Sequence, residues 1–193
     1  MYTNKTGITL IIVTFMILLF TSCASIPEGA TAVSPFDKEK YLGKWYEIAR
    51  LDFRFERNLN NTTANYSAND DGTIAVLNRG YNYVKEEWDE AKGKAKFAVD
   101  ENVARLKVSF FGPFYAPYNV IALDRNYKYA LVAGKNLDYL WILARNKTIS
   151  EDIREDYLKI AADLGYNISD LIWVEHKQEP GQKKSTTSSG LHE

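Results

Sequence analysis

Between residues 44 and 145 one pattern recurs: a short run rich in β-branched and aromatic residues, most often alternating apolar with polar, followed by a turn signal. Eight such runs can be placed, at 44–50, 63–68, 73–78, 94–98, 105–110, 118–124, 129–133 and 139–145. Alternation at period 2 sends successive side chains to opposite faces, so each run reads as a strand with one buried face. NDDG (69–72) and GKNLD (134–138) read as hairpin loops, since Gly, Asn and Asp tolerate the backbone that tight turns require. Gly112, Pro113 and Pro117 break the chain between two more runs. An even-numbered up-and-down barrel removes the open edges that such a sheet would otherwise expose. The expected fold is all-β, an eight-stranded antiparallel up-and-down barrel.

The period changes after Arg145. TISE (148–151) has the form of a capping box, with Thr148 as N-cap and Glu151 reaching back. Ile153, Tyr157, Ile160 and Leu164 then share one helical face, and Gly165 suits the position just past a helix end. One C-terminal helix is expected to pack outside the barrel. LIWVEH (171–176) reads as a last short strand. The folded domain is expected at 36–178. The segment 179–193 has no apolar pattern and is expected to be disordered.

At the other end, Lys5 precedes an apolar run, ITLIIVTFMILLF (8–20), and the small residues TSCAS (21–25) follow, which together make an export signal. The run is too short to span a bilayer, for which roughly 20 residues are needed. The single cysteine, Cys23, stands where such a signal is cut. This segment resembles the bacterial lipoprotein box, with Phe20 where that box usually carries Leu. The resemblance implies a signal peptide at 1–22, acylation of Cys23, and a lipidated tether at 23–35. Each buried methylene of an acyl chain contributes about 0.8 kcal/mol, so two or three chains anchor stably. Ala24 does not match the signal for retention in the inner membrane. The expected location is the outer membrane, lipid-anchored, with the domain facing the periplasm.

Composition narrows the function. A net charge of -1 gives no reason to expect a nucleic-acid partner. One cysteine and two histidines exclude an internal disulfide and a structural zinc site, and no cofactor is expected. No Ser-His-Asp set is available, because His176 follows the last strand and His192 lies in the tail. The acids of EEWDE (86–90) read as a solvated hairpin. The chain is therefore not expected to be an enzyme.

Phased from Trp45, the first strand sends Trp45, Glu47 and Ala49 inward and Tyr46, Ile48 and Arg50 outward. An indole here can plug the lower end of the barrel, with Gly43 allowing a close turn before it. Arg145 can cover that indole by a cation–π contact, since the first and last strands adjoin in a closed barrel. An ordinary core Trp and a surface Arg fit the spacing equally well. The inward, ligand-facing positions are Ala49, Ala64, Tyr66, Asn78, Phe97, Val108, Tyr118, Trp141 and Leu143. They are mostly apolar with a few hydroxyls and one amide, the make-up of a ligand pocket. The alternative is that these side chains fill the barrel; the alanines favour a hollow. LDFRFERN (51–58) would lie at the mouth, where Phe53 and Phe55 could touch lipid and Arg54 and Arg57 could meet a phosphate or carboxylate. FFGPFYAP (110–117) carries a similar exposed-aromatic signal and is a candidate homodimer contact.

GKWY (43–46) fits the Gly-x-Trp motif of the lipocalins. LDRNY (123–127) stands where that family has Thr-Asp-Tyr, which Asp124 and Tyr127 fit only loosely, and Arg145 in WILAR fits the third motif. The blocks at 41–58, 106–132, 138–150 and 171–176 are collinear with the family, and the chain resembles it over 36–176. The resemblance is nearest to the branch of bacterial outer-membrane lipoproteins related to apolipoprotein D. It implies a cup open at one end, with Gly43, Trp45 and Arg145 as its structural motif and Tyr118 and Trp141 in its wall. The implied role is binding, storage or transport of fatty acids or lysophospholipids in the cell envelope. A tethered structural protein without ligand and a lipid-modifying enzyme are the alternatives.

Overall fold

The computed structural model describes residues 25–177. The expected signal peptide, Cys23 and the whole of the expected tail, 179–193, lie outside the described residues. A short helix, α1 (Lys38–Tyr41), is capped by Asp37, whose carboxylate accepts from the amides of Glu39 and Lys40. Eight strands follow: β1 (Gly43–Arg50), β2 (Leu59–Ala68), β3 (Ile74–Asn82), β4 (Glu87–Phe97), β5 (Arg105–Phe111), β6 (Phe114–Leu123), β7 (Tyr129–Ala133) and β8 (Leu140–Ala144). Each pairs antiparallel with the next, and β1 pairs with both β8 and β2, which closes the barrel. β9 (Ile172–Trp173) pairs with Ala49 and Arg50, along the part of β1 that β2 has left.

All eight sequence runs coincide with these strands to within one residue at their ends, and β2, β3, β4 and β6 extend further toward one end of the barrel. Their extra residues include Asn60, Glu87 and Phe114, which do not alternate apolar with polar, so the period-2 signal fades there. The expected acidic hairpin is one such place. Glu87–Glu90 run inside β4, paired with β3, and only Glu86 sits in the turn, at φ 58°.

Two apolar clusters lie back to back across the barrel wall. The inner one includes Trp45, Tyr66, Val76, Ala95, Leu106, Val120 and Val132. The outer one joins Ile48, Leu131, Ala133, Leu140 and Ile142 to Tyr157 and Ala161 of the second helix, α2 (Glu151–Asp163). α2 begins later than the capping-box reading required. Ser150, not Thr148, occupies the cap position and makes no side-chain cap bond, while Glu151 pairs with Arg154 at 2.7 Å. Gly165 follows the helix at φ 92°, a conformation that favours glycine.

Two further expectations are corrected. Ala49 faces the outer cluster, not the interior. The pairing of β1 with β8 slips between Glu47 and Ala49, and this β-bulge moves both Ile48 and Ala49 to the helix side. Arg50 thereby turns inward opposite Trp141. The described part of the tether, 25–35, is no free spacer. Val33 exchanges backbone bonds with Val120 and Ala104, at 2.9 Å each, and Ala32 is buried.

Candidate functional site

The lower end of the barrel is sealed by aromatic packing under one arginine. Trp45 is fully buried, and its Nε1 donates to the Tyr41 carbonyl at 2.8 Å. The Arg145 guanidinium lies 3.8 Å from the centre of the Trp45 ring. Its Nη2 donates to the carbonyls of Lys40, Tyr41 and Leu42, its Nη1 to that of Lys44, and its Nε to that of Tyr127. One side chain thus ties α1, the start of β1 and the β6–β7 turn together. Gly43 holds φ 91° with Arg145 Nη1 3.4 Å from where a Cβ would stand, so a side chain there would be strained. Asp124 accepts from the amides of Asn126 and Tyr129, and the Tyr127 hydroxyl accepts from the Asp37 amide at 2.9 Å. The loosely fitting second motif therefore also builds this base. Phe36 completes it, 5.2 Å from Tyr41 and 6.2 Å from Phe97 between ring centres.

Above the plug, Ala64, Tyr66, Phe97, Val108, Tyr118, Trp141 and Leu143 all belong to the inner cluster. Asn78 alternates with Val76 on β3 and pairs with Ala64, so it faces the same interior. Tyr66 and Leu143 are buried, whereas Ala64, Asn78, Val108, Tyr118 and Trp141 keep part of their surface accessible. In a closed barrel, accessible inward side chains line a space that opens at the end without the plug. Phe97 is also partly accessible but belongs to the base through its contact with Phe36.

Three hydroxyls meet on the inner wall. Tyr118 lies 2.6 Å from the Tyr41 hydroxyl and 3.0 Å from that of Tyr66. Burial pushes all three phenols up, that of Tyr66 to about 12, so they are neutral at physiological pH. Two bonds among three hydroxyls use two of their three protons, which leaves one O–H able to donate elsewhere. The Asn78 Oδ1 is a buried acceptor with no partner.

Nearer the mouth lies an ionic cluster that periodicity does not reveal. Arg50 Nη1 donates to Glu47 at 2.7 Å, and Nη2 donates to the carbonyls of Glu56 and Leu59. The Glu56 carboxylate accepts from Trp141 Nε1 at 2.9 Å. Burial, then the nearby Glu56 charge, pushes the Glu47 carboxyl up to about 8 against the pull of Arg50. Burial raises Glu56 as well. With two carboxyls facing one guanidinium, a proton stays on the pair through neutral pH. The only sequence cue is Glu47 on the inward phase of β1; the bulge that turns Arg50 inward has none.

The loop 51–58 crosses the open end as expected. Phe53 packs edge-on against Tyr139 and Trp141, at 5.5 and 6.4 Å. Arg57 is held by Asp52 at 2.6 Å, and Arg54 stacks over Phe55 at 4.4 Å.

The lipocalin-like domain model matches residues 36–176. Outer membrane lipoprotein Blc of Citrobacter freundii is 53% identical over 165 residues, covering 84% of this chain and 92% of that protein. Its namesake in Vibrio cholerae is 47% identical over 167 residues, covering 84% and 98%. Apolipoprotein D of Rattus norvegicus is 39% identical over 119 residues, covering 58% and 61%. Among solved structures, insecticyanin from the tobacco hornworm superposes with a TM-score of 0.66 at 20% identity, over 80% of this chain and 88% of that one, a likeness of fold alone. With a sealed base, an apolar inner wall and these relatives in hand, the chain belongs to the lipocalin family.

Proposed function

We propose that the barrel binds the acyl chain of a small amphiphile, a fatty acid or a lysophospholipid, for storage or transport in the cell envelope. The observation that carries this reading is the gradient along the inner wall. The base is closed by Trp45, Tyr41 and Phe36, while Ala64, Val108, Tyr118 and Trp141 remain accessible above it. An acyl chain lowered into such a cup exchanges water contact for apolar contact, at roughly 25 cal/mol per Å² buried. The spare O–H of the tyrosine trio and the unpartnered Asn78 Oδ1 offer one donor and one acceptor to a polar group. Ala64, Tyr66, Asn78, Val108, Tyr118, Trp141 and Leu143 are the wall residues assigned to the ligand, with Phe97 beneath them. Ala49 has no part in it.

The relatives named outer membrane lipoprotein support the same setting: acylation at Cys23 and an outer-membrane anchor with the domain facing the periplasm. Binding rather than turnover is the activity assigned.

The test is extraction and titration. Solvent extracts of the purified protein should contain acyl chains by mass spectrometry, and a fluorescent fatty acid should be displaced by lysophospholipid. Ligand should alter Trp141 emission, and a Trp141→Phe variant should lose that change while still binding. An empty extract with no displacement would remove the ligand reading, and hydrolysis of a lipid ester would replace it with an enzyme.

A further inference from the structure

The inner wall carries one charge that an acyl chain does not use. Arg50 is 2% exposed and stands opposite Trp141 where β1 pairs with β8. Its Nη1 donates to the Glu47 carboxylate and its Nη2 to two carbonyls, while its Nε–H is buried and has no hydrogen-bond partner among the described residues. A guanidinium carries five N–H donors, and leaving a buried one unmade is costly. A buried guanidinium with a spare donor is a binding element for a carboxylate or a phosphate. Arg50 lies five residues beyond Trp45 on β1, about 15 Å along an extended strand. An amphiphile whose tail points at the plug therefore has its head at this level.

A second donor stands beside it, with an occupant that the chain itself supplies. Trp141 Nε1 donates to the Glu56 carboxylate at 2.9 Å, and the Glu56 carbonyl accepts from Arg50 Nη2 at 2.7 Å. One residue of the mouth loop thus touches both side chains. Its carboxylate is poorly housed there: burial raises the Glu56 carboxyl in spite of the Trp141 N–H and the Arg50 charge. Moved into water, the carboxylate recovers its hydration and uncovers the donors for another anion. Glu47 keeps its hold on Nη1, and an anion that replaces an anion leaves the net charge of the cluster unchanged.

We propose that this cluster is the head-group site of the cup: an anionic head, carboxylate or phosphate, takes the donors of Arg50 and Trp141, and Glu56 holds that place while the cup is empty. The inference rests on the reading of the barrel as a lipid cup and adds to it the charge of the head. Glu56 is then a resident competitor, and its release frees loop 51–58 from Trp141. The exposed rings at the rim of the open end, Phe55, Phe111 and Phe114, have no part in the site.

Four ligands of one chain length test this, read by displacement of a fluorescent fatty alcohol from the purified full-length protein. A fatty acid is set against its fatty alcohol, and a lysophosphatidic acid against its monoacylglycerol. The charged member of at least one pair should bind about tenfold more tightly, the worth of a hydrogen bond to a charged group. A preference in the first pair identifies a carboxylate head, and one in the second a phosphate head. Arg50→Gln should bring the two members of that pair to equal affinity. Glu56→Ala removes the competitor and should widen the preference, the reverse of what losing a merely structural loop contact would do. Phe114→Ala, at the rim, should leave it as it was. Where Arg50→Gln fails to fold or binds neither member, Glu56→Ala decides. Equal binding within both pairs, a preference that survives Arg50→Gln, or one that narrows in Glu56→Ala would overturn the site and leave the cup as a pocket for tails alone. Binding by none of the four would overturn the ligand reading, and the site with it.

Discussion

At the closed end Trp45 has no exposed surface and Arg145 places all three of its nitrogens on backbone carbonyls, whereas at the open end Phe111 and Phe114 stand mostly in solvent. The two ends use similar residue types, aromatic rings and arginines, in opposite ways. Below, rings pack on rings and an arginine stacks on an indole while donating to carbonyls of α1, the start of β1 and the β6–β7 turn. Above, rings point outward, and the arginine that does turn in, Arg50, divides its bonds between the Glu47 carboxylate and the carbonyls of Glu56 and Leu59. The difference teaches that aromatic content alone does not separate core from interface. What separates them is whether the ring is enclosed by other rings and by backbone, as Trp45 is, or left to solvent, as Phe111 and Phe114 are.

The comparison breaks most readily at the base. Trp45→Ala should cost about 3–5 kcal/mol of stability, the range for truncating a buried aromatic. Urea unfolding measures this, and a loss as small as that of a surface substitution would mean that the plug does not close the barrel. Arg145→Lys keeps the charge but has one nitrogen where the fork had three, and should cost about 2 kcal/mol. A Lys that restored full stability would reduce Arg145 to a simple cation over a ring.

The ionic cluster predicts a pH dependence. The Glu47 carboxyl is raised from 4.5 to about 8 in the folded protein. The folded state therefore holds a proton that the unfolded chain has released. Its contribution to stability is fully present below about 4.5 and is lost as pH rises through about 8. A tenfold difference in proton affinity between the folded and unfolded states is worth about 1.4 kcal/mol. Denaturation midpoints should fall from acid toward alkaline conditions, and Glu47→Gln should flatten that slope. An unchanged slope would assign the titration to another group. Last and smallest, Phe114→Ala should change stability by no more than about 0.5 kcal/mol. A larger loss would make the rim part of the fold after all.

Much of this is legible in the chain. Period-2 runs and turn residues locate all eight strands, and a closed barrel is the arrangement of them that leaves no open edge. The meeting of Trp45 with Arg145 is readable because closure makes the first and last strands neighbours. The rim is readable as aromatics inside turn-forming segments. The errors have physical causes. Thr148 with Glu151 looks like a cap, yet the helix starts later and Glu151 is drawn to Arg154 instead. Tyr41 escapes a pattern-based reading because a four-residue helix leaves no periodic trace, although it supplies one of the three hydroxyls. Pro27 and Gly29 suggest a flexible tether, while two backbone bonds of Val33 sew it to the barrel.

By itself the sequence determined what is local: which segments alternate, where the chain turns, and hence that a closed sheet with one outer helix would form. Only the tertiary structure decided which face Ala49 and Arg50 take. A bulge shifts the register by a single residue, and nothing nearby in the chain signals it. It persists because Arg50, once turned inward, reaches Glu47 and the carbonyls of Glu56 in the following loop and Leu59 at the start of β2, and because β9 returns from the far end of the domain to pair with the edge it leaves. Such partners come together only when the barrel closes.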